Sequence, residues 1–322
     1  MKVAFVGKGG AGKTTVAALF ARYVAAQGFP VIAIDADINQ QLPAALGAVD
    51  LQLPAMGLGT NAIKAYVRGT NPRIASHECM IKTTPPGAGS RLMTVTEDNA
   101  VYDRFAVSYR GIRLMAAGAY AQEDLGIKCY HSKTGAVELF LNHLIDWPSE
   151  YVVTDMTAGA DAFASGLFTR FDVTFIMVEP TLKSLAVYDQ YARYADGYGV
   201  TLKVIANKLT NAADQALIAA RVGEDYLTGI QASEYVRRME QGCMGELSQL
   251  EPANSRALTQ MREFVDAQQK NWERYYRQTV EFHIKNAEAW GNAQLGMDLA
   301  EQVDPLFDLS AAVAAGEQRL PA

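Results

Sequence analysis

Cysteine is scarce in this 322-residue sequence, which contains only three of them. The number is odd, and Cys79, Cys129 and Cys243 lie far apart along the chain. A small domain stapled by disulfide bonds would need paired and more closely spaced cysteines. We therefore expect a fold that does not depend on a disulfide framework.

Long apolar runs are also missing. The N-terminal run covers only Val3 to Val6, which is too short for the apolar core of a secretory signal. Elsewhere no stretch approaches the roughly 18 apolar residues of a transmembrane helix. We therefore expect a cytoplasmic protein without a membrane partner.

An excess of basic residues is missing as well, since 29 Lys and Arg face 35 Asp and Glu, for a formal net charge of -6. An acidic protein is a poor ligand for nucleic acids and anionic membranes, so neither is expected as a partner. Hydrophobic residues make up 49% and charged residues 20%, which indicates a folded chain rather than a disordered tail. At this length the chain can form one large domain or two smaller ones.

Strand and helix patterns alternate along the first two hundred residues. Val3–Val6 is typical of a short buried strand, the helical spacing of Thr14–Gln27 ends at Gly28, and a second strand follows at Pro30–Ile34. Further strands are predicted at 151–154, 173–178 and 202–206, with helices at 182–198 and 212–222. Buried strands separated by amphipathic helices predict an α/β fold with a mainly parallel sheet and helices on both faces.

Two regions depart from this alternation. Residues 47–107 are less regular and contain a loop at Pro85–Ser90. Beyond Pro252 the chain is rich in Arg, Gln and Glu, and Ser255–Trp290 has the pattern of one long helix. We therefore place a boundary between an α/β domain of residues 1–250 and a C-terminal helical extension of residues 251–322.

The segment after the first strand reads Gly-Lys-Gly-Gly-Ala-Gly-Lys-Thr-Thr from Gly7 to Thr15 and fits the motif G-x-x-x-x-G-K-[ST]. Glycines let backbone N–H groups turn around phosphate oxygens, and the helix that opens near Lys13 directs its positive end at the same anion. Lys13 brings a positive charge to the β- and γ-phosphates, and the Thr14 hydroxyl is a Mg²⁺ ligand. The sequence therefore predicts a P-loop NTPase that uses ATP and Mg²⁺, with nucleotide contacts from Gly9, Gly10, Ala11, Gly12, Lys13, Thr14 and Thr15.

Three other predicted strands end in charged or amide residues. Asp35 and Asp37 end one strand, Asp155 ends another, and Asn207 and Lys208 end a third. Ligands bind at the carboxyl ends of parallel strands, so we expect these residues around the nucleotide. Asp155 would hold a Mg²⁺-bound water, as the acidic residue of a Walker B strand does. The amide of Asn207 offers one donor and one acceptor, which matches the N6 and N7 atoms of adenine.

Lys8, a further lysine of the phosphate loop, indicates which class of P-loop NTPase the chain resembles. Lys8, in K-G-G-x-G-K-T, resembles the signature lysine of the deviant Walker A ATPases, the MinD/ParA/nitrogenase-iron-protein class. The resemblance implies an ATP-dependent homodimer in which Lys8 reaches the partner's nucleotide, as an arginine finger does. It also implies that Asp37 orients the attacking water, that Asp35 supports the metal shell, and that Asn207 and Lys208 contact the nucleotide. Lys8, Lys13 and Asp37 are then the catalytic residues.

Within this class the sequence is most similar to the CooC family, the nickel-insertion ATPases of carbon monoxide dehydrogenase maturation. The matching segments are IDAD at Ile34–Asp37, DMTAG at Asp155–Gly159 and VEPTLKSL at Val178–Leu185. By motif order the resemblance covers residues 1–245, and it makes residues 47–107 a variable insertion. It implies an ATPase that serves a metalloenzyme client protein.

Some residues depart from the CooC pattern. The family has a G-C-x-C metal-binding loop where this chain reads Lys128-Cys129-Tyr130-His131. Two copies of Cys129 and His131 would still form a Cys₂His₂ set at a dimer seam, suited to Zn or Ni. The alternative is a structural cysteine and a histidine near a helix cap. In addition, the segment after Gly159 contains no histidine, and Gln231 stands where the family has the proline of its adenine loop.

Other members of the class differ in their requirements. A nitrogenase-like reductase needs a second cysteine shortly after Asp155, and residues 155–171 contain none. A MinD-like positioning protein needs a basic amphipathic terminal helix, but residues 306–322 contain two acids and one arginine. A ParA-like partition ATPase stays open, although acidic residues offset the basic ones of the C-terminal helix. A nucleotide-switched protein-interaction module without a metal also stays open.

Overall fold

The computed structural model describes residues 1–119, 131–163 and 165–317. The strands are β1 Lys2–Gly7, β2 Val31–Ala36, β3 Met93–Thr94, β4 Val107–Tyr109, β5 Ile112–Ala116, β6 Leu144–Ile145, β7 Tyr151–Met156, β8 Val173–Val178, β9 Leu202–Leu209 and β10 Tyr226–Gln231. Eight of them form one sheet in the order β10-β9-β8-β1-β7-β2-β5-β4. All neighbours in this sheet are parallel except β4 and β5, which are antiparallel. The predicted mainly parallel sheet is confirmed.

The helices connect the parallel strands and continue beyond the last of them. They are α1 Lys13–Ala25, α2 Leu42–Ala45, α3 Thr60–Arg68, α4 Ala100–Phe105, α5 His131–Asn142, α6 Leu182–Asp196, α7 Ala212–Val222, α8 Glu234–Glu240, α9 Pro252–Asp266, α10 Trp272–Asn286, α11 Asn292–Leu295 and α12 Leu309–Glu317. No α-helix in the described part of the chain has both the length and the apolar character that a bilayer crossing requires.

Both faces of the sheet are covered. Val3 and Phe5 of β1 belong to a buried cluster with residues of α1 and α9, whereas Ala4 and Val6 belong to one with residues of α5, α6 and α7. Successive side chains of a strand point to opposite faces, so each strand contributes to both layers. The prediction of helices on both faces is confirmed.

Residues 47–107 belong mainly to one of these layers, while Leu51 and Leu53 pack against the other. The segment contains α3, α4 and β3, and β3 pairs with β6 in a separate two-stranded parallel sheet. Ile63, Val67 and Phe105 are buried in the same cluster as Ala4 and Val6. This irregular segment therefore packs against the central sheet.

The C-terminal region is helical, as predicted, but the prediction of one continuous helix over Ser255–Trp290 is wrong. Helix α9 ends at Asp266 and α10 begins at Trp272. Between them Lys270 forms ion pairs with Asp146 at 2.7 Å and Asp172 at 2.6 Å. The Asn271 side chain then caps α10 by accepting the Arg274 N–H. These contacts fix a turn that the apolar spacing does not reveal.

Candidate functional site

The phosphate loop lies between β1 and α1, against the ends of the neighbouring strands. Gly7 has a φ of 139°, and a Cβ there would lie 2.7 Å from the Met177 carbonyl oxygen of β8. Gly12 has a φ of 91°, and a Cβ there would collide with the Asn207 amide. That amide donates to the Ala11 carbonyl at 2.7 Å. Glycine is therefore required at both positions, since the loop turns within van der Waals contact of β8 and β9.

Lys13 opens α1 inside this loop. The residue is only 6% exposed. Its charge acts to lower the pKa of the Asp155 carboxyl, so the two side chains lie close together. A buried ammonium group is stabilised by negative charge around it. The loop therefore presents a cation that favours a bound anion, as expected for a phosphate site at a helix N-terminus.

Thr14 and Asp155 meet beside Lys13. The Thr14 hydroxyl donates to Asp155 Oδ2 at 2.6 Å, and the other carboxylate oxygen, Oδ1, is buried without a hydrogen-bond partner. Hydroxyl and carboxylate oxygens are ligands that Mg²⁺ prefers, and the free Oδ1 supplies an acceptor for the ion or for a water bound to it. These residues fit a Mg²⁺ ion, which would neutralise phosphate charge when bound.

Asp35 lies in β2, next to Asp155 of β7, and Asp37 comes directly after the end of β2. Asp35 and Asp155 are register partners on the neighbouring strands β2 and β7. Asp35 Oδ2 accepts the Leu42 N–H at 2.8 Å and Oδ1 accepts the Asp37 N–H at 3.1 Å, so backbone amides engage both oxygens. Asp37 accepts the backbone and side-chain N–H groups of Asn39, each at 3.0 Å, through Oδ1. Asp35 thus orders the turn that carries Asp37.

The proximity of these carboxylates affects their protonation. Burial, followed by the charge of Asp35, raises the pKa of Asp155 to about 8. Burial also raises the pKa of Asp35 to about 7, against the lowering effect of its two backbone hydrogen bonds. Near neutral pH the cluster therefore retains protons that a bound cation would displace.

This arrangement predicts proton release on Mg²⁺ binding. Because a ligand carboxylate must be charged, the apparent Mg²⁺ affinity of the nucleotide-loaded protein should rise with pH, by up to about tenfold per pH unit, until the pKa of Asp155 is passed. Calorimetry in buffers of different ionisation enthalpy measures the released protons. Asp155→Asn is the control, since nucleotide protonation is common to both proteins. Equal proton release from the two would contradict the prediction.

Asn207 and Lys208, the other residues predicted to contact the nucleotide, lie near the end of β9. Gln231, at the place of the adenine loop, ends β10. Lys208 Nζ donates to the Gly10 carbonyl at 2.6 Å and lies 2.7 Å from Glu179 Oε1. The Gln231 N–H donates to Asn254 Oδ1 at 2.8 Å, so α9 anchors the end of β10. The predicted contacts of Asn207 and Lys208 with a nucleotide stay predictions, but both side chains touch the phosphate loop.

Two acidic residues at the site were not predicted. Glu240, at the end of α8, lies 3.2 Å from the Thr15 hydroxyl. Glu179 pairs with Lys208 and also lies 3.8 Å from Lys8 Nζ. Glu179 belongs to the VEPTLKSL segment, whereas Glu240 stands outside the matching segments that carried the resemblance.

The predicted transition-metal pair cannot be placed. Cys129 lies outside the described residues, and His131 is described only as the first residue of α5. Among the described residues, no group of three or more His, Cys, Asp or Glu side chains has a metal-binding arrangement. Zn or Ni binding therefore stays a prediction.

The fold and the site define a P-loop nucleotide-binding protein, since the first strand of a parallel sheet leads into a phosphate loop with carboxylates at the neighbouring strand ends. The chain belongs to the CobQ/CobB/MinD/ParA nucleotide binding domain family, whose sequence profile matches residues 3–274. It is an ATP-binding and ATP-hydrolysing enzyme of the MinD/ParA type.

Individual relatives agree with this assignment. The carbon monoxide dehydrogenase accessory protein CooC of Rhodospirillum rubrum is 30% identical over 230 residues, 71% of this chain and 82% of that protein. An uncharacterised ATP-binding protein of Methanocaldococcus jannaschii is 28% identical over 247 residues, 74% of this chain and 88% of that protein. The resemblance to CooC is thus confirmed at the level of the sequence family.

Solved structures share the fold. A ParA family ATPase from Chlorobium tepidum superposes with a TM-score of 0.57 at 15% identity, covering 82% of this chain and 98% of that one. A chain of the MinC:MinD cell division protein complex of Aquifex aeolicus superposes with a TM-score of 0.54 at 18% identity, covering 84% and 97%. At these identities the likeness establishes the fold alone.

Proposed function

We propose that this ATPase is a dimeric switch of the CooC kind, which ATP and Mg²⁺ assemble and which hydrolysis separates. The observation that carries the proposal is the contrast between the two lysines of the phosphate loop. Lys13 is 6% exposed within the loop, whereas the Lys8 side chain is 36% exposed at its rim. An exposed cation at the rim is accessible to a nucleotide held by a second copy, which supports a role for Lys8 across a two-fold interface.

In the proposed dimer each nucleotide is held mainly by one protomer. The backbone amides of the loop and Lys13 bind the phosphates, and Thr14 and Asp155 hold Mg²⁺. Asp37 accepts a hydrogen bond from the attacking water and directs it to the γ-phosphate. Lys8 of the partner subunit adds positive charge where negative charge develops in the transition state. Hydrolysis then weakens the charge attraction that joins the two subunits.

Replacing Asp37 with alanine tests the assembly. Without the carboxylate that orients water, Asp37→Ala should bind ATP but hydrolyse it far more slowly, so the ATP-bound dimer should accumulate. Light scattering with saturating ATP and Mg²⁺ should give twice the monomer mass of 35.0 kDa. The same variant without nucleotide is the control and should be monomeric. A monomer in both conditions would count against the dimeric switch.

We further propose that the switch serves the maturation of a metalloenzyme. The identity to a carbon monoxide dehydrogenase accessory protein supports this role, together with the position of Cys129 and His131 in the sequence. One cysteine and one histidine cannot complete a four-ligand site, so a tight site has to be shared between two subunits. In this proposal Zn or Ni is bound at the dimer seam and passed to a client enzyme when the subunits separate.

Metal titration tests this role. Because ATP forms the dimer, an ATP analogue should increase the affinity for Zn²⁺ or Ni²⁺, and by linkage the metal should tighten the dimer by the same factor. Competition with a chromophoric chelator measures the affinity. Cys129→Ser should remove the coupling, and Cys243→Ser, at an exposed cysteine, is the control. If wild type takes up neither metal in either state, the chain is instead a partition ATPase or a nucleotide-switched protein-interaction module.

A further inference from the structure

Glu179 lies directly after β8, between two lysines of the nucleotide site. Its Oε1 is 2.7 Å from Lys208 Nζ, and its Oε2 is 3.8 Å from Lys8 Nζ. Lys208 Nζ also donates to the Gly10 carbonyl at 2.6 Å. One carboxylate therefore connects the phosphate loop, which follows β1, with the ends of β8 and β9.

The position of Glu179 is fixed by its surroundings. Its N–H donates to the Ser184 hydroxyl at 3.0 Å, and the Thr181 hydroxyl accepts the Ser184 N–H at 3.2 Å and caps α6. The Glu179 side chain is only 15% exposed. A carboxylate held in this way cannot follow Lys8 into a second molecule. Lys8 therefore has to leave Glu179 before it can contact a partner's nucleotide.

The two ion pairs differ in strength. Lys208 forms a short contact and has the Gly10 carbonyl as a second acceptor. Lys8 is more distant from the carboxylate, at 3.8 Å, which is too far for a hydrogen bond. Both lysine side chains are partly exposed, so solvent screens both pairs, and the difference rests on the shorter contact and second acceptor of Lys208. The Lys8 contact is thus the one that competing charge disrupts first.

We propose that Glu179 is a positioning residue that holds Lys8 near its own phosphate loop until a nucleotide is bound there. The inference rests on the proposed dimeric function and adds a form of regulation to it. Phosphate charge in the loop competes with Glu179 for both ammonium groups, which weakens the Lys8–Glu179 pair. Binding of ATP by one protomer thereby releases the lysine that its partner needs, so the two sites become competent together.

Acetylation of Lys8 by an amine-reactive reagent tests the Lys8–Glu179 contact in the nucleotide-free protein. Mass spectrometry measures the rate of this modification. Glu179→Gln should increase this rate by about threefold, because the neutral amide gives up the ion pair. Lys208→Gln should decrease it by a similar factor, because the full carboxylate charge then acts on Lys8. Asp189→Asn, which breaks a surface pair with Arg221 elsewhere on α6, is the matched control and should have no effect. Unchanged labelling in both test variants would overturn the inference.

The consequence for assembly is measured as ATP turnover over a range of protein concentrations. Because both protomers have to release Lys8, Glu179→Gln should lower the protein concentration for half-maximal turnover by about tenfold when ATP is well below saturation. The effect should be smaller at saturating ATP, where the bound phosphates already release Lys8 in the wild type. Glu179→Asp retains the charge and should return this concentration toward the wild-type value. A lower maximal rate with an unchanged half-maximal concentration would place Glu179 in the assembled site and overturn its holding role.

The two proposals fail in different ways. A monomeric Asp37→Ala protein at saturating ATP would overturn the dimer, and the inference with it. A dimeric Asp37→Ala protein combined with unchanged Lys8 labelling would overturn the inference alone.

Discussion

Replacing Lys13 with alanine is expected to weaken ATP binding by about thirtyfold or more. Lys13 is a buried cation within the phosphate loop, and loss of one partner from a buried, hydrogen-bonded charge pair costs about 2–5 kcal/mol. Each 1.4 kcal/mol corresponds to about tenfold in affinity. The fold should persist, since other groups hold the loop, among them the Asn207 amide, which donates to the Ala11 carbonyl at 2.7 Å. Calorimetry with ATP and Mg²⁺ measures the change.

Lys203→Ala is the matched control for this experiment. Lys203 lies near the start of β9, at the opposite end of the strand from Asn207, and its Nζ donates to the Glu224 carbonyl at 2.7 Å. It should bind ATP as wild type does. An unchanged ATP affinity in Lys13→Ala would contradict the assignment of Gly7–Thr15 as the phosphate-binding loop.

The parts of the site that could be predicted from the sequence depend on local patterns. The phosphate loop is continuous from Gly7 to Thr15, so neighbours in sequence bind the same anion and the motif is sufficient. Asp35 and Asp155 were predicted because a buried apolar run ends at each of them. The structure confirms that they lie side by side on neighbouring strands. The order of strands in a parallel sheet brings such strand ends together.

Contacts between distant segments could not be predicted in this way. Glu240 reaches Thr15 across 225 positions, and no local feature of the sequence assigns it that partner. Glu179 belongs to the VEPTLKSL motif, but that motif does not reveal its contacts with Lys8 and Lys208, which lie at the ends of β1 and β9. The turn between α9 and α10 is a similar case. Apolar residues keep helical spacing on both sides of it, while the ion pairs of Lys270 with Asp146 and Asp172 decide where the helix stops.

Lys8→Ala is expected to bind ATP normally but to lose turnover by about 10³-fold or more, as removal of a finger cation does in other phosphoryl-transfer enzymes. The Lys8 side chain is partly exposed at the rim of the loop, and its ion-pair partner is Glu179 rather than a residue inside the loop. Its removal should therefore leave the binding of the phosphates by Lys13 and the loop amides intact. Calorimetry measures binding, and phosphate release measures turnover. A loss of ATP affinity comparable to that of Lys13→Ala would mean that Lys8 binds the nucleotide of its own protomer.

Mixing Lys8→Ala with Asp37→Ala before ATP is added decides whether Lys8 acts across the dimer. A mixed dimer contains one complete site, in which Asp37 comes from one protomer and Lys8 from the other, and one site that lacks both. Random pairing of equal amounts should then restore about a quarter of wild-type turnover, although each variant alone is nearly inactive. If Lys8 acted within its own protomer, every site in the mixture would lack one of the two residues. The mixture would then be no more active than its components, because no exchange of subunits could complete a site.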